Sequence, residues 1–124
     1  MADPVLALPD LAKSFEVHTD DSDYAIGGVL MQEGHPIAYE SRKFNDIERK
    51  YTVKEKGMTA IVHCLRTWRQ YLLGSKFVVR TDKIETSYFQ TQKKLSSKQA
   101  RWQDFLAEFD MCIEYKAGTH KSSG

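Results

Sequence analysis

The chain has 124 residues, 41% of them hydrophobic and 28% charged, with a formal net charge of +1. That mixture suits one folded domain around one core and excludes a largely disordered chain. The near-neutral charge excludes a global basic field, so any contact with nucleic acid has to rest on local patches. No apolar run approaches the ~20 residues needed to span a bilayer, so no membrane role is expected.

Residues 1–13 carry two prolines, in Pro4-Val5-Leu6-Ala7-Leu8-Pro9-Asp10, and read as an extended lead-in. Phe15-Glu16-Val17-His18-Thr19 alternates with period two, the pattern of a half-buried strand. Asp20 to Asp23 has turn chemistry. A second strand follows over Ala25 to Gln32, where Gly27-Gly28 permits close backbone approach. Glu33-Gly34-His35 is a tight connection into a third strand, Pro36 to Ser41, which completes an antiparallel meander.

Asn45 with Glu48 resembles a helix start. Tyr51, Met58, Ile61, Val62, Leu65, Trp68 and Leu72 then keep helical spacing up to Gly74, a C-terminal cap. Phe77 to Thr81 is a fourth strand. Reached through a helix, it is expected to run parallel to a strand already in the sheet. Ile84, Tyr88 and Phe89 suggest a short helix. Ser96 and Gln99 form a capping box, with Leu95 and Ala100 as its staple, for a helix whose buried face holds Trp102, Phe105, Leu106 and Phe109. Met111 to Tyr115 is the fifth strand. The order β-β-β-α-β-α-α-β predicts an α/β fold: a mixed five-stranded sheet, three antiparallel strands and then crossover-connected parallel ones, flanked by helices. Residues 14–118 form the domain, and 119–124 a frayed tail.

Cys64 and Cys112 sit in apolar segments without metal-type spacing. They read as buried free thiols of an intracellular protein, cytoplasmic or nuclear. The four histidines have no ligand spacing and receive no catalytic role. Trp68 and Trp102 lie on apolar helical faces and read as core.

Two phrases stand out. His18-Thr19-Asp20 closes the first strand and Arg80-Thr81-Asp82 closes the fourth. Parallel neighbours would bring both carboxylates to one end of the sheet. Two carboxylates there repel unless a cation neutralises them, which invites magnesium.

The chain closely resembles the ribonuclease H domain of gypsy-class LTR retrotransposon reverse transcriptase polyproteins, particularly the plant type. The landmarks are the lead-in, Phe15 to Asp20, Ile26 to Gln32, His35-Pro36-Ile37-Ala38-Tyr39, Tyr51 with Glu55-Lys56, and Ala60-Ile61-Val62. Trp68-Arg69-Gln70-Tyr71-Leu72, Thr81-Asp82, Arg101-Trp102 and Tyr115-Lys116-Ala117-Gly118 continue the series in order. The resemblance implies a ribonuclease-H-like sheet with its first and fourth strands adjacent. It implies hydrolysis of the RNA strand of RNA–DNA hybrids by two metal ions, Mg2+ or Mn2+. Asp20 would bridge the metals and Asp82 would hold one of them. The polymerase part of the same polyprotein is the further partner implied.

Two departures put that activity in doubt. Family members read Glu-Lys-Glu where this chain has Glu55-Lys56-Gly57, and the second of those glutamates is the metal ligand carried by the helix. Glu55 lies about 200° round the helix from position 57 and is not expected to replace it. The family also continues past its Tyr-Lys-x-Gly turn into a segment whose aspartate completes the acidic set, and that aspartate is absent from this chain. Asp21, where the family usually has alanine, is expected to point into solvent. The expectation is therefore a ribonuclease H fold with weak metal binding and weak or lost cleavage. The alternative is a non-catalytic, domesticated or degenerate interaction or hybrid-binding module.

Lys93, Lys94, Lys98 and Arg101 form an acid-free run, and Arg42 and Lys43 stand before the long helix. These six are the candidates for tracking phosphates, a sequence-independent and salt-sensitive contact. Gln32 and Ser41 are candidates to reach sugar hydroxyls.

Overall fold

The computed structural model describes residues 7–89 and 96–116. Its elements are β1 (Phe15–Asp21), β2 (Ala25–Gln32), β3 (His35–Lys43), α1 (Val53–Thr67), α2 (Arg69–Leu72), β4 (Lys76–Thr81), α3 (Ile84–Ser87), α4 (Ser97–Leu106) and β5 (Asp110–Tyr115). They build one sheet in the order β3-β2-β1-β4-β5. β1 pairs antiparallel with β2 and parallel with β4, and β5 runs parallel to β4. The expected mixed sheet is therefore present, with β1 and β4 side by side at its centre.

The hairpin joining β2 to β3 turns on Glu33 and Gly34, both with positive φ (49° and 78°). Two left-handed residues make a turn whose twist matches the strands it joins. Further along, the β2–β3 register shifts between Leu30 and Met31, where Pro36 enters the ladder opposite Met31 without an N–H to donate.

Burial in β1 alternates strictly. Phe15, Val17 and Thr19 are buried, while Glu16 and His18 are half-exposed. β2 and β4 follow the same rule, so one face of the sheet faces the helices. There Met58, Ile61, Cys64 and Leu65 of α1 join Val17, Leu30, Val79, Phe89 and Leu106 in one core. Gly28 lets α1 approach β2, since a Cβ at that position would run into the Cys64 sulfur. The other face carries an ion-pair network in which the Arg80 guanidinium bonds Glu16 (3.1 Å) and Glu114 (2.8 Å).

The long helix differs from its sequence reading at both ends. Asn45 and Glu48 do cap each other, each side chain accepting from the other's backbone N–H. What they cap is a single 3-10 turn, Glu48–Lys50. Tyr51 is extended, and α1 starts from a second capping box made by Thr52 and Glu55. At the far end the helix breaks at Trp68, resumes briefly as α2, and stops before Gly74 (φ 86°). The Ser96–Gln99 box caps α4 as expected. Its staple residue Leu95 lies outside the described residues.

Cys64 is buried, but Cys112 is exposed, which corrects the expectation of two buried thiols. Position 112 alternates away from the helix layer. Gln32 is corrected as well. Its buried side chain accepts from the Asp10 N–H and donates to the Asp10 and Lys13 carbonyls, binding the lead-in to the end of β2 rather than facing solvent.

Candidate functional site

The parallel register of β1 and β4 ends at the pair Thr19–Thr81. Asp20 and Asp82 each follow by one residue, so the two chains deliver them to one lip of the sheet. The Thr19 hydroxyl donates to the Arg80 carbonyl across the junction (3.4 Å), and Thr81 accepts from the Lys83 N–H (3.1 Å). Asp20 is exposed. The Asp82 side chain retains only 10% exposure.

Three neighbours at this lip were not foreseen. The Lys83 ammonium lies 3.5 Å from an Asp82 carboxylate oxygen and donates to the Asp21 carbonyl at 3.2 Å. Lys56 reaches from α1 to Asp23 (3.5 Å) with its own side chain only 11% exposed. Asp21 is half-buried instead of solvated, because it shares the core-facing parity of Val17 and Thr19. Burial, together with Asp82 and Asp20, raises its carboxyl to about 6 against the opposing pull of Lys83 and Lys56. Parity alone could have placed Asp21. Nothing in the sequence marked the two lysines.

Gly57 lies in the buried stretch of α1 that faces α3. A Cβ built there would sit 3.0 Å from both Thr86 Cβ and Thr86 Cγ2, and closer still to Thr86 Oγ1. Thr86 is fully buried, and its hydroxyl has no hydrogen-bond partner. The space that a side chain at 57 would need is taken by Thr86. Glu55 points elsewhere. It accepts from the Thr52 N–H in the capping box and pairs with Lys98 at 3.1 Å. Burial pushes its carboxyl up, but the bonds from Thr52 and Lys98 prevail and hold it below the ordinary range.

Among the described residues, no three His, Cys, Asp or Glu side chains converge closely enough to hold a metal ion. The donors Asp20 and Asp82, with position 57 closed by Thr86, do not fit a two-metal centre. Such a centre needs enough oxygen ligands to hold two dications against hydration.

Away from the lip, α1 and α4 enclose a cleft of about 320 Å³. Arg42, Arg66, Lys98 and Arg101 line it, with Tyr51 and Trp102 among its walls. Arg42 is held bidentately by Glu48 (2.9 and 3.0 Å). The Lys98 ammonium stands 3.7 Å from the centre of the Tyr51 ring, close enough for a cation–π contact. Of the six basic candidates, Arg42, Lys98 and Arg101 thus come together. Lys43 is exposed at the end of β3 and does not line the cleft, while Lys93 and Lys94 lie outside the described residues. Arg66 was missed because it stands within the run read as the buried stripe of the long helix.

A five-stranded 3-2-1-4-5 sheet with two aspartates at the β1–β4 lip defines a ribonuclease-H-like domain. A sequence profile for the RNase H-like domain found in reverse transcriptase matches residues 10–109, and the chain belongs to that family. It is 41% identical over 120 residues to the retrovirus-related Pol polyprotein from transposon 297 of Drosophila melanogaster, covering 97% of this chain and 11% of that protein. The gypsy Pol polyprotein of the same fly is 32% identical, across 94% of this chain and 11% of its own length. The Tf2-3 polyprotein of Schizosaccharomyces pombe is 35% identical, across 94% and 9%. The chain therefore spans about a tenth of these relatives. Among solved structures, the fold matches a foamy viral protease-reverse transcriptase in complex with dsDNA (TM-score 0.74, 23% identity, 89% of this chain and 25% of that one). It also matches RNase H1 from the archaeon Halobacterium salinarum (TM-score 0.67, 15% identity, 88% and 89%).

Proposed function

We propose that this domain belongs to a gypsy-class retrotransposon reverse transcriptase and binds RNA–DNA hybrids while cleaving them weakly or not at all. The plant-type assignment rests on the sequence landmarks alone. The observation that carries the reading is Gly57, where the family places a metal-binding glutamate, packed beneath Thr86 within an otherwise complete fold. Asp20 and Asp82 are taken as the surviving carboxylates, and any Mg2+ or Mn2+ they hold is weakly bound. Activity of such sites falls by orders of magnitude when one member of a cooperating set is lost.

The hybrid is the favoured ligand because a foamy viral fold neighbour was solved in complex with an RNA/DNA hybrid, and because the α1–α4 cleft offers cations beside aromatic rings. Phosphate tracking by such cations does not need metal. The polymerase part of the same polyprotein is the natural covalent partner, as the relatives are Pol polyproteins.

The test is fluorescence anisotropy with a labelled hybrid, run beside a cleavage assay in Mg2+ and in Mn2+. Binding with little or no cleavage supports the proposal. Robust cleavage by the chain as it stands would refute the reading of position 57. Absence of hybrid binding would favour the alternative, a module retained for protein contacts.

A further inference from the structure

We infer that the strand-end lip carries its own positive charge, Lys83 and Lys56, in place of divalent metal, behind a plug formed by Thr86. This rests on the assignment of position 57 proposed above.

Four aspartates, Asp20, Asp21, Asp23 and Asp82, cluster about the end of β1 and the start of the loop after β4. Two ammonium groups stand among them. Lys83 is fixed from two sides, by the Asp82 carboxylate (3.5 Å) and the Asp21 carbonyl (3.2 Å). Lys56 is buried along its stem, its ammonium 5.9 Å from the centre of the Phe44 ring and 3.5 Å from Asp23. An ammonium and a dication compete for one carboxylate, and each repels the other across a few ångströms of partly desolvated space. Lys83 is therefore a resident counter-ion that a metal would have to displace.

Thr86 closes the second route to a metal site. Its β-branched side chain is stiff about χ1 and fully buried, so it cannot swing out to admit a longer side chain at 57. Its hydroxyl makes no hydrogen bond, so volume rather than bonding keeps it there. Gly57→Glu by itself would drive α3 off α1 instead of rebuilding a ligand.

The experiment is a Mn2+ titration of the full chain, followed by paramagnetic broadening of the amide signals of residues 20–21 and 82–83. Binding by the unaltered chain is expected to be weak, in the millimolar range. Lys83→Gln should tighten it about tenfold by removing the competing charge. Gly57→Glu should bring no gain and a lower melting temperature. Gly57→Glu with Thr86→Gly should bind more tightly than either single variant. If the double variant does not fold, Lys83→Gln decides alone, because that side chain is at the lip and not in the core. Equal Mn2+ affinity in the unaltered chain and Lys83→Gln would overturn the inference. So would tight binding by Gly57→Glu alone. The hybrid assays above do not depend on these outcomes, so the two readings fail separately.

Discussion

Thr86 packs against the bare α-carbon of Gly57, filling the volume that any side chain at 57 would require. This single contact joins α1 to α3 where the family places a ligand, and it turns an ordinary helix position into one that tolerates only glycine.

Gly57→Ala should therefore destabilise the fold. Alanine improves helix propensity by about 1 kcal/mol, whereas overpacking a filled core costs about 1–3 kcal/mol. A net loss of about 1 kcal/mol is expected by urea denaturation. In a Thr86→Gly background the clash is gone, and the same change should become stabilising. A double-mutant cycle showing no coupling between the two sites would contradict the packing described.

Asp21 sets a pH dependence of known sign. The folded carboxyl titrates at about 6 and the ordinary value is 3.8. Between those values the folded chain keeps a proton that the unfolded chain has released, so stability declines as pH rises through the window. Asp21→Asn should abolish that decline. In EDTA it should match the unaltered chain near pH 3.5 and exceed it at pH 7, as read from melting temperatures across the range.

Gln32 ties the lead-in to β2 through three hydrogen bonds of 2.7–3.0 Å. At about 1 kcal/mol net per bond, Gln32→Ala should cost on the order of 2 kcal/mol. It should also release protection of the Asp10 amide in hydrogen exchange. Unchanged protection there would show that the lead-in is held by other contacts.

Arg66 and Arg101 line the α1–α4 cleft, both exposed. If hybrid phosphates reach the cleft, Arg66→Ala and Arg101→Ala should each weaken hybrid binding. Each should lower the slope of log affinity against log salt by about 1. Slopes that stay the same in both variants would place the nucleic acid elsewhere.

Much of this was legible in linear order because it depends on neighbours in the chain. Strand alternation, the Ser96–Gln99 capping box and the Glu33-Gly34 turn are local devices, and the structure forms each where its residues stand. Asn45–Glu48 has the same local signature, yet it caps only a 3-10 turn. Tyr51 leaves the helical path there, its ring instead packing edge-on to Trp102 at 6.5 Å. Cys112 and Asp21 were misplaced for a related reason: composition suggested their surroundings, while strand parity decided them.

The sequence by itself determined the family, the strand order of a mixed sheet, and the arrival of Asp20 and Asp82 at one end, since these follow from period, crossover length and motif order. Only the tertiary structure decided that Thr86 occupies the place of a side chain at 57, that Lys83 and Lys56 stand among the aspartates, and that Arg66 joins Arg42, Lys98 and Arg101 around one cleft. The physical reason is distance along the chain. Volume exclusion and charge pairing act between atoms that touch, and these partners are brought together only when α1, α3 and α4 pack on the sheet.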